Sequence, residues 1–211
     1  MKNYKKLIIL IALSFISFKA FCHPHLFFTS EEEFVFEDNM LQGAWVEWTF
    51  DSYFSADIDF YYDWDDNNYY DAREQKEIYN NAFINLANFY YFIFIRQGND
   101  RTNPDQVYNF SARQENGLLT YRFYIDLSHY QGNEIYFAVY DYTFFCNIVY
   151  PDNSITFDFI NSDVKPAFSI KQNKDYPVYY DPWGAASDNT IYYEWKKGLE
   201  VNYPKEIHIQ Y

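Results

Sequence analysis

Aromatic and aliphatic residues that alternate with polar ones constrain this chain more than any other feature of its sequence. Phe34 and Phe36 alternate with Glu33 and Val35, and Asn116-Gly117 is a dipeptide typical of tight hairpin turns. Because side chains along a strand point alternately to two faces, a period of two predicts β-structure. The sequence predicts two paired antiparallel strands within 26–48, further strands over 91–96, 107–113, 118–126, 134–140, 144–150, 155–159 and 191–195, a long loop over 171–189, and a terminal strand or loosely docked segment over 206–211.

A period of about four residues interrupts this pattern near residue 50. Phe50, Phe54, Ile58 and Tyr62 are spaced as one face of a helix, which Asp51 or Ser52 can cap. A second apolar face with helical spacing predicts another helix over 72–89.

An acidic segment of 12 residues, from Asp63 to Glu74, connects the two predicted helices. Its register matches an EF-hand calcium loop, in which carboxylate and carbonyl oxygens surround the ion. Asn68 stands at position six, where Gly is usual because the backbone needs a positive φ. The predicted ligands are Asp63, Asp65, Asn67, the backbone carbonyl of Tyr69, Asp71 directly or through water, and Glu74 with both oxygens. The alternative is a solvated acidic turn that binds nothing.

The expected fold is therefore α+β, a mainly antiparallel and sandwich-like β-sheet with a helix–EF-hand-like loop–helix insertion near residues 50–90. We expect residues 23–211 to form a single domain, since their number is ordinary for one. Aromatic residues make up 24% of the chain, which suits strands as well as it would suit a platform for a carbohydrate or peptide.

Residues 1–22 have the features of a cleaved signal peptide. A basic start precedes an apolar run over 7–18, and Ala20-Phe21-Cys22 places small side chains at a cleavage site. The apolar run would rise only about 18 Å as a helix, less than a bilayer core, so we expect export to the periplasm and no permanent anchor. Four lysines leave with this segment, and the net charge of −14 becomes −18. Such a charge makes nucleic acid an unsuitable partner and favours cations.

Cleavage after Cys22 would leave His23-Pro24-His25 at the mature N-terminus. Imidazoles prefer borderline metals such as Zn²⁺, Ni²⁺ or Co²⁺ to calcium, and the α-amine of His23 could add a third nitrogen. Two histidines do not complete a site, so a distant group has to contribute, whether His129, His208 or a carboxylate. The alternative is that these polar residues begin a strand and bind nothing.

Five segments together resemble the bacterial periplasmic family of domain of unknown function 1007. They are 23–27, with His-Pro-His; 48–55, with Trp-Thr-Phe-Asp; the acidic loop 63–74; 85–92, with Asn-Leu-Ala-Asn; and 139–145, in which Tyr142 replaces a proline of the family pattern. The resemblance implies a periplasmic accessory of a transition-metal uptake system, encoded beside a membrane permease of the nickel/cobalt type. It implies no known enzyme, and the residues form no recognisable catalytic constellation.

Three hypotheses follow. The first is a metal-binding accessory protein that holds Zn²⁺, Ni²⁺ or Co²⁺ through His23 and His25, with calcium in the loop at 63–74. The second is a calcium-stabilised extracytoplasmic interaction module that binds peptide or glycan. The third is a copper oxidase with an N-terminal histidine, which would need a further fixed histidine.

Overall fold

The computed structural model describes residues 23–185, 187–188 and 190–211, so the predicted signal peptide lies outside the described residues. The predicted α+β class, with mainly antiparallel sheet, is confirmed. The strands are β1 Leu26–Glu37, β2 Met40–Phe50, β3 Ile93–Gln97, β4 Asp100–Thr102, β5 Tyr108–Glu115, β6 Leu118–Asp126, β7 Glu134–Val139, β8 Cys146–Val149, β9 Ile155–Ile160, β10 Ala167–Gln172, β11 Val178–Tyr180, β12 Glu200–Asn202 and β13 Lys205–Gln210.

The first sheet is organised around β1. Its strand order is β5-β6-β2-β1-β8, and β9 also pairs with β1. The pairing of β1 with β2 is the predicted antiparallel hairpin, and Asp38 and Asn39 turn it with positive φ. The sequence did not reveal that β8 and β9 both run parallel to β1, β8 beside its first residues and β9 beside its last. Near its N-terminal end, β1 therefore lies between β2 and β8.

The second sheet has the order β10-β13-β7-β3-β4, and β11 and β12 form a small separate pair. Both larger sheets contribute to one core, in which Phe34 of β1 and Phe137 of β7 meet edge to face at 5.5 Å. Burial of so many large aromatic side chains supplies most of the driving force for folding. The largest fully buried side chains include Trp48, Tyr70, Tyr121, Phe34, Phe36, Phe83, Phe123 and Phe137.

Two α-helices follow β2, as predicted. Helix α1 spans Ser52–Tyr62, and the Asp51 side chain caps it by accepting from two backbone N–H groups. Helix α2 spans Ala72–Asn81, so the prediction that it extends to residue 89 is wrong. A 3₁₀ segment, Phe83–Phe92, follows the C-cap Ala82, and its first residue, Phe83, has no exposed surface. Three residues at the end of this segment adopt positive φ, where the chain turns into β3.

The C-terminal region also departs from prediction. The predicted loop over 171–189 contains β11, and the segment 191–195 is not a strand. Tyr192 makes one isolated bridge to Tyr179, whose strand β11 also pairs with β12. The terminal strand is one of two predicted alternatives, whereas the sequence predicts none of β4, β10 and β12. Within the described ranges, no helix is both long and apolar enough to span a bilayer.

Candidate metal centres

The acidic loop between α1 and α2 brings three of its predicted ligands together. Carboxylate oxygens of Asp63, Asp65 and Glu74 lie within 4.8 Å of one another. No Lys, Arg or His pairs with these carboxylates among the described residues. Like charges at this separation repel, and a cation between them would relieve the repulsion. The group can therefore hold a metal ion.

The backbone of this loop curls around Asp63. Its two carboxylate oxygens accept hydrogen bonds from the N–H groups of Asn67, at 3.1 Å, and Asn68, at 2.9 Å. Asn68 adopts a φ of 62°, the positive value that position six of the predicted register requires. Asparagine is thus an adequate substitute for glycine in the shape of this loop.

Glu74 and Tyr70 fasten the loop to the body of the protein. Glu74 is only 3% exposed, and its two oxygens accept from the N–H groups of Trp64 and Asp71, both at 2.8 Å. Tyr70 is fully buried, and its hydroxyl donates a hydrogen bond to the carboxylate of Asp59 in α1. The register of the loop gives Tyr70 no role, and the sequence does not distinguish it from Trp64 and Tyr69, the other aromatic residues of the loop, which are exposed.

The other predicted ligands have different contacts. Asp71 is the N-cap of α2 and accepts from Arg73 and Glu74, so it is not part of the carboxylate group. The Asn67 side chain accepts from the N–H of Tyr69 at 2.7 Å. The exiting helix begins at Ala72, position ten of the register, and Glu74 lies in its first turn.

The two N-terminal histidines lie together just before β1. The rings of His23 and His25 are 4.6 Å apart between centroids and meet edge to face. His23 is 7% exposed, and its Nδ1 atom and the Nε2 atom of His25 are buried without a hydrogen-bond partner among the described residues. Buried polar atoms are nearly always satisfied, so two unpartnered imidazole nitrogens side by side point to a ligand.

A carboxylate from the C-terminal region faces His23. A methyl group added at Gly184 would lie 2.9 Å from His23 Nε2 and 3.1 Å from Asp188 Oδ2, so both atoms border the same small space. The pKa of Asp188 is lowered, mainly by hydrogen bonds from Thr190 and also by the nearby His23. Burial and the neighbouring His23 lower the pKa of His25, which favours the neutral form that binds metals.

Two further aspartates hold the histidine segment in place. Asp51 accepts from the N–H of Phe27 while it caps α1. Asp141 is 3% exposed and accepts from Thr143 and from the N–H of Cys146, which shapes the turn before β8. The carbonyl of Phe145 in that turn accepts from His25 N at 2.8 Å. The segments around residues 51 and 141, both part of the family resemblance, thus support the N-terminal segment.

The two other histidines have partners elsewhere. His208 lies 3.1 Å from Glu134 and stacks on Tyr136, and His129 packs against Tyr130. The group that borders His23 is instead the carboxylate of Asp188, which agrees with the third of the predicted alternatives. Asp188 also borders a mainly apolar cavity of about 440 Å³ between the first sheet and the helices, floored by Trp48.

Comparison with known proteins agrees with the resemblance. The model of a protein family of unknown function, DUF1007, matches residues 8–211. An uncharacterized protein of Haemophilus influenzae (strain ATCC 51907 / DSM 11121 / KW20 / Rd) is 26% identical over 159 residues, which is 73% of each chain. No solved structure matches. Because the family model spans nearly the whole sequence, the chain belongs to the DUF1007 family.

Proposed function

We propose that this protein is a periplasmic accessory of a transition-metal uptake system. It binds one Zn²⁺, Ni²⁺ or Co²⁺ ion through His23 and His25, with Asp188 beside the other ring nitrogen of His23, and it passes the ion to a membrane permease of the nickel/cobalt type. The observation that carries the proposal is the pair of buried, unpartnered nitrogens on two adjoining rings, Nδ1 of His23 and Nε2 of His25. The proposed role of the protein is to bind and transfer the ion, without catalysis.

The donor set suits a borderline metal. Two imidazoles leave coordination positions open, and the α-amine of a mature His23 or water can fill them. A carboxylate beside the other nitrogen of His23 would orient that ring. An open position also allows exchange with a receiving protein.

Replacing both His23 and His25 with alanine should reduce zinc, nickel and cobalt affinity from micromolar or tighter to undetectable. Both nitrogens of the binding pair are lost, and one carboxylate does not hold these ions alone. Calorimetric titration of the mature protein, with its N-terminus verified by mass spectrometry, measures the change. The matched control replaces His129 and His208, which should leave the heats unchanged. Equal heats for both double variants would contradict the proposal.

We further propose that the group of Asp63, Asp65 and Glu74 binds calcium as a structural brace. Its ligands are hard oxygens, and its helix–loop–helix frame has an exiting helix that begins at the expected position. A single loop without a paired partner should bind on the order of 10⁻⁴ M. The bound ion would offset carboxylate repulsion and stabilise α1 against α2.

Calcium at millimolar concentration should raise the thermal unfolding midpoint of the wild-type protein by several degrees, and Glu74→Gln should abolish the rise. The substitution removes one charge and the bidentate oxygen pair, while Gln can still accept from Trp64 N. The control is Glu77→Gln on the same helix, away from the carboxylate group. A rise that persists in Glu74→Gln would exclude this site.

The same measurements distinguish the second candidate function, a calcium-stabilised module that binds peptide or glycan. In that case calcium would raise the unfolding midpoint, whereas zinc, nickel and cobalt would change neither the midpoint nor the heat. The carboxylate group favours this candidate independently of the histidines.

A further inference from the structure

The outer face of the second sheet carries a tyrosine-lined cleft with one arginine at its centre. The cleft has a volume of about 540 Å³, which is ordinary for a small-molecule site. Its floor includes Phe94, Tyr140 and Val178, which belong with Ala138 to a small hydrophobic cluster separate from the main core. Its walls include Tyr90, Asn103, Tyr142, Tyr176, Tyr192 and Tyr193, and one carboxylate, that of Asp175, also lines it.

Arg101 of β4 lacks the partner that a half-buried arginine usually has. Each of three other arginines forms an ion pair with at least one glutamate; these are Arg96, Arg113 and Arg122. Within the described part of the chain, no carboxylate lies within 4.0 Å of the Arg101 side chain. The absence is notable in a protein with 30 acidic residues.

Aromatic rings cover the flat faces of the Arg101 guanidinium, and most of the N–H groups at its edge remain available. The guanidinium carbon lies 4.1 Å from the ring centre of Phe94 and 4.2 Å from that of Tyr176. One N–H donates to the Tyr140 hydroxyl. A guanidinium has five N–H donors, all in its plane, so stacking on its faces does not consume the others.

We propose that this cleft binds a small carboxylate whose flat or apolar body lies against the tyrosines. The remaining edge of Arg101 can donate two parallel hydrogen bonds to one carboxylate, and aromatic cation stacking holds that edge in place. A singly charged ligand fits better than a phosphate, since one arginine opposes the field of a protein with a net charge of −14. An aromatic acid and an acidic sugar share this chemistry.

The test titrates metal-free protein with benzoate and glucuronate, and with their neutral counterparts benzamide and glucose, by calorimetry. At least one acid should bind with a Kd on the order of 1 mM or tighter, and its neutral counterpart at least about tenfold more weakly. Whichever acid binds identifies the source of the carboxylate. Failure of both acids, or equal binding of acid and neutral counterpart, would overturn the proposal.

Three variants locate the site. Arg101→Gln should lower the affinity for the acid at least about tenfold. Tyr193→Ala should weaken binding severalfold without affecting folding, since that side chain is 89% exposed. Arg73→Gln is the matched control, because Arg73 also stacks on an aromatic ring, Trp64, at 4.4 Å without a carboxylate partner. Unchanged binding in both cleft variants would refute the assignment. If Arg101→Gln fails to fold, unchanged binding in Tyr193→Ala is sufficient to refute it.

Discussion

Replacing Asp188 with asparagine should weaken zinc binding about 10- to 100-fold, because it removes the negative charge beside Nε2 of His23 that would orient this ring and raise the basicity of its metal-binding nitrogen. Loss of such an outer-shell partner typically has an effect of this size. Asparagine keeps the acceptor for the Thr190 N–H, so the turn itself should persist. Competition titration with a chromophoric chelator measures the affinity. Asp175→Asn, an exposed substitution in the same region, is the control and should bind zinc as the wild type does.

Gly184→Ala tests the same geometry without removing the carboxylate. The added methyl group would come within 2.9 Å of His23 Nε2 and 3.1 Å of Asp188 Oδ2, and would occupy the space between them. We expect zinc affinity to fall at least about tenfold while the unfolding midpoint of the metal-free protein stays near its wild-type value. Wild-type affinity in both Gly184→Ala and Asp188→Asn would show that Asp188 does not position His23 for the ion.

Replacing Glu32 with glutamine should stabilise the protein by several kcal/mol at pH 8 and change its stability little at pH 5. Glu32 is 1% exposed in the core between the sheets, where Ser30 donates to one oxygen and the other has no partner among the described residues. Burial raises the pKa of Glu32 to about 8. The hydrogen bond from Ser30 lowers this pKa and the charge of Glu31 raises it, but burial has the largest effect.

The direction of the pH effect follows from this raised pKa. The unfolded chain ionises Glu32 above about pH 4.5, whereas the folded protein keeps the carboxyl neutral until about pH 8. Wild-type stability should therefore be fully present below pH 4.5 and decrease as pH rises towards 8, with a total loss on the order of 5 kcal/mol. Glutamine cannot ionise, so the variant should lose this component of the pH dependence.

Denaturant unfolding of the metal-free protein between pH 5 and pH 8, followed by tryptophan fluorescence, measures the difference. Glu37→Gln makes the same chemical change at an exposed position of the same strand, and should follow the wild-type profile. Parallel stability profiles for the wild type and Glu32→Gln would mean that Glu32 ionises normally in the folded protein.

Local patterns in the sequence are sufficient to predict most elements of this fold. The hairpin of β1 and β2 and the extent of β6 follow from alternation, and the turn at Asn116-Gly117 follows from its dipeptide. Asp51 is predictable as a cap because its position precedes a helical face. Each of these features depends on residues that are neighbours in sequence.

The errors occur where tertiary contacts override local preference. The spacing over 72–89 predicts one helix, but α2 ends at Asn81, and Phe83, just after the C-cap Ala82, is buried in a 3₁₀ segment. Positive φ at Tyr90 and Tyr91 lies at the far end of that segment. The parallel pairing of β8 and β9 with β1 depends on contacts more than 100 residues apart in sequence. No local pattern encodes that arrangement.

The two candidate sites differ in the same respect, because one is formed by a continuous segment and the other by segments far apart in sequence. The acidic loop is continuous in sequence, so its twelve-position register is enough to group Asp63, Asp65 and Glu74. The histidine site is assembled from opposite ends of the chain, and Asp188 is one of many acidic residues without a distinguishing motif. Only the close approach at Gly184 identifies it as the carboxylate beside His23.

X-ray absorption spectroscopy of the mature protein, loaded with one equivalent of zinc, tests the central claim most directly. The spectrum should show two imidazole ligands, with Zn–N distances of about 2.0–2.1 Å, together with nitrogen or oxygen from the α-amine or water. A sulfur shell at about 2.3 Å would assign the ion to Cys146 instead, and a shell of oxygens alone would assign it to the acidic loop. Either result would contradict a transition-metal site at His23 and His25.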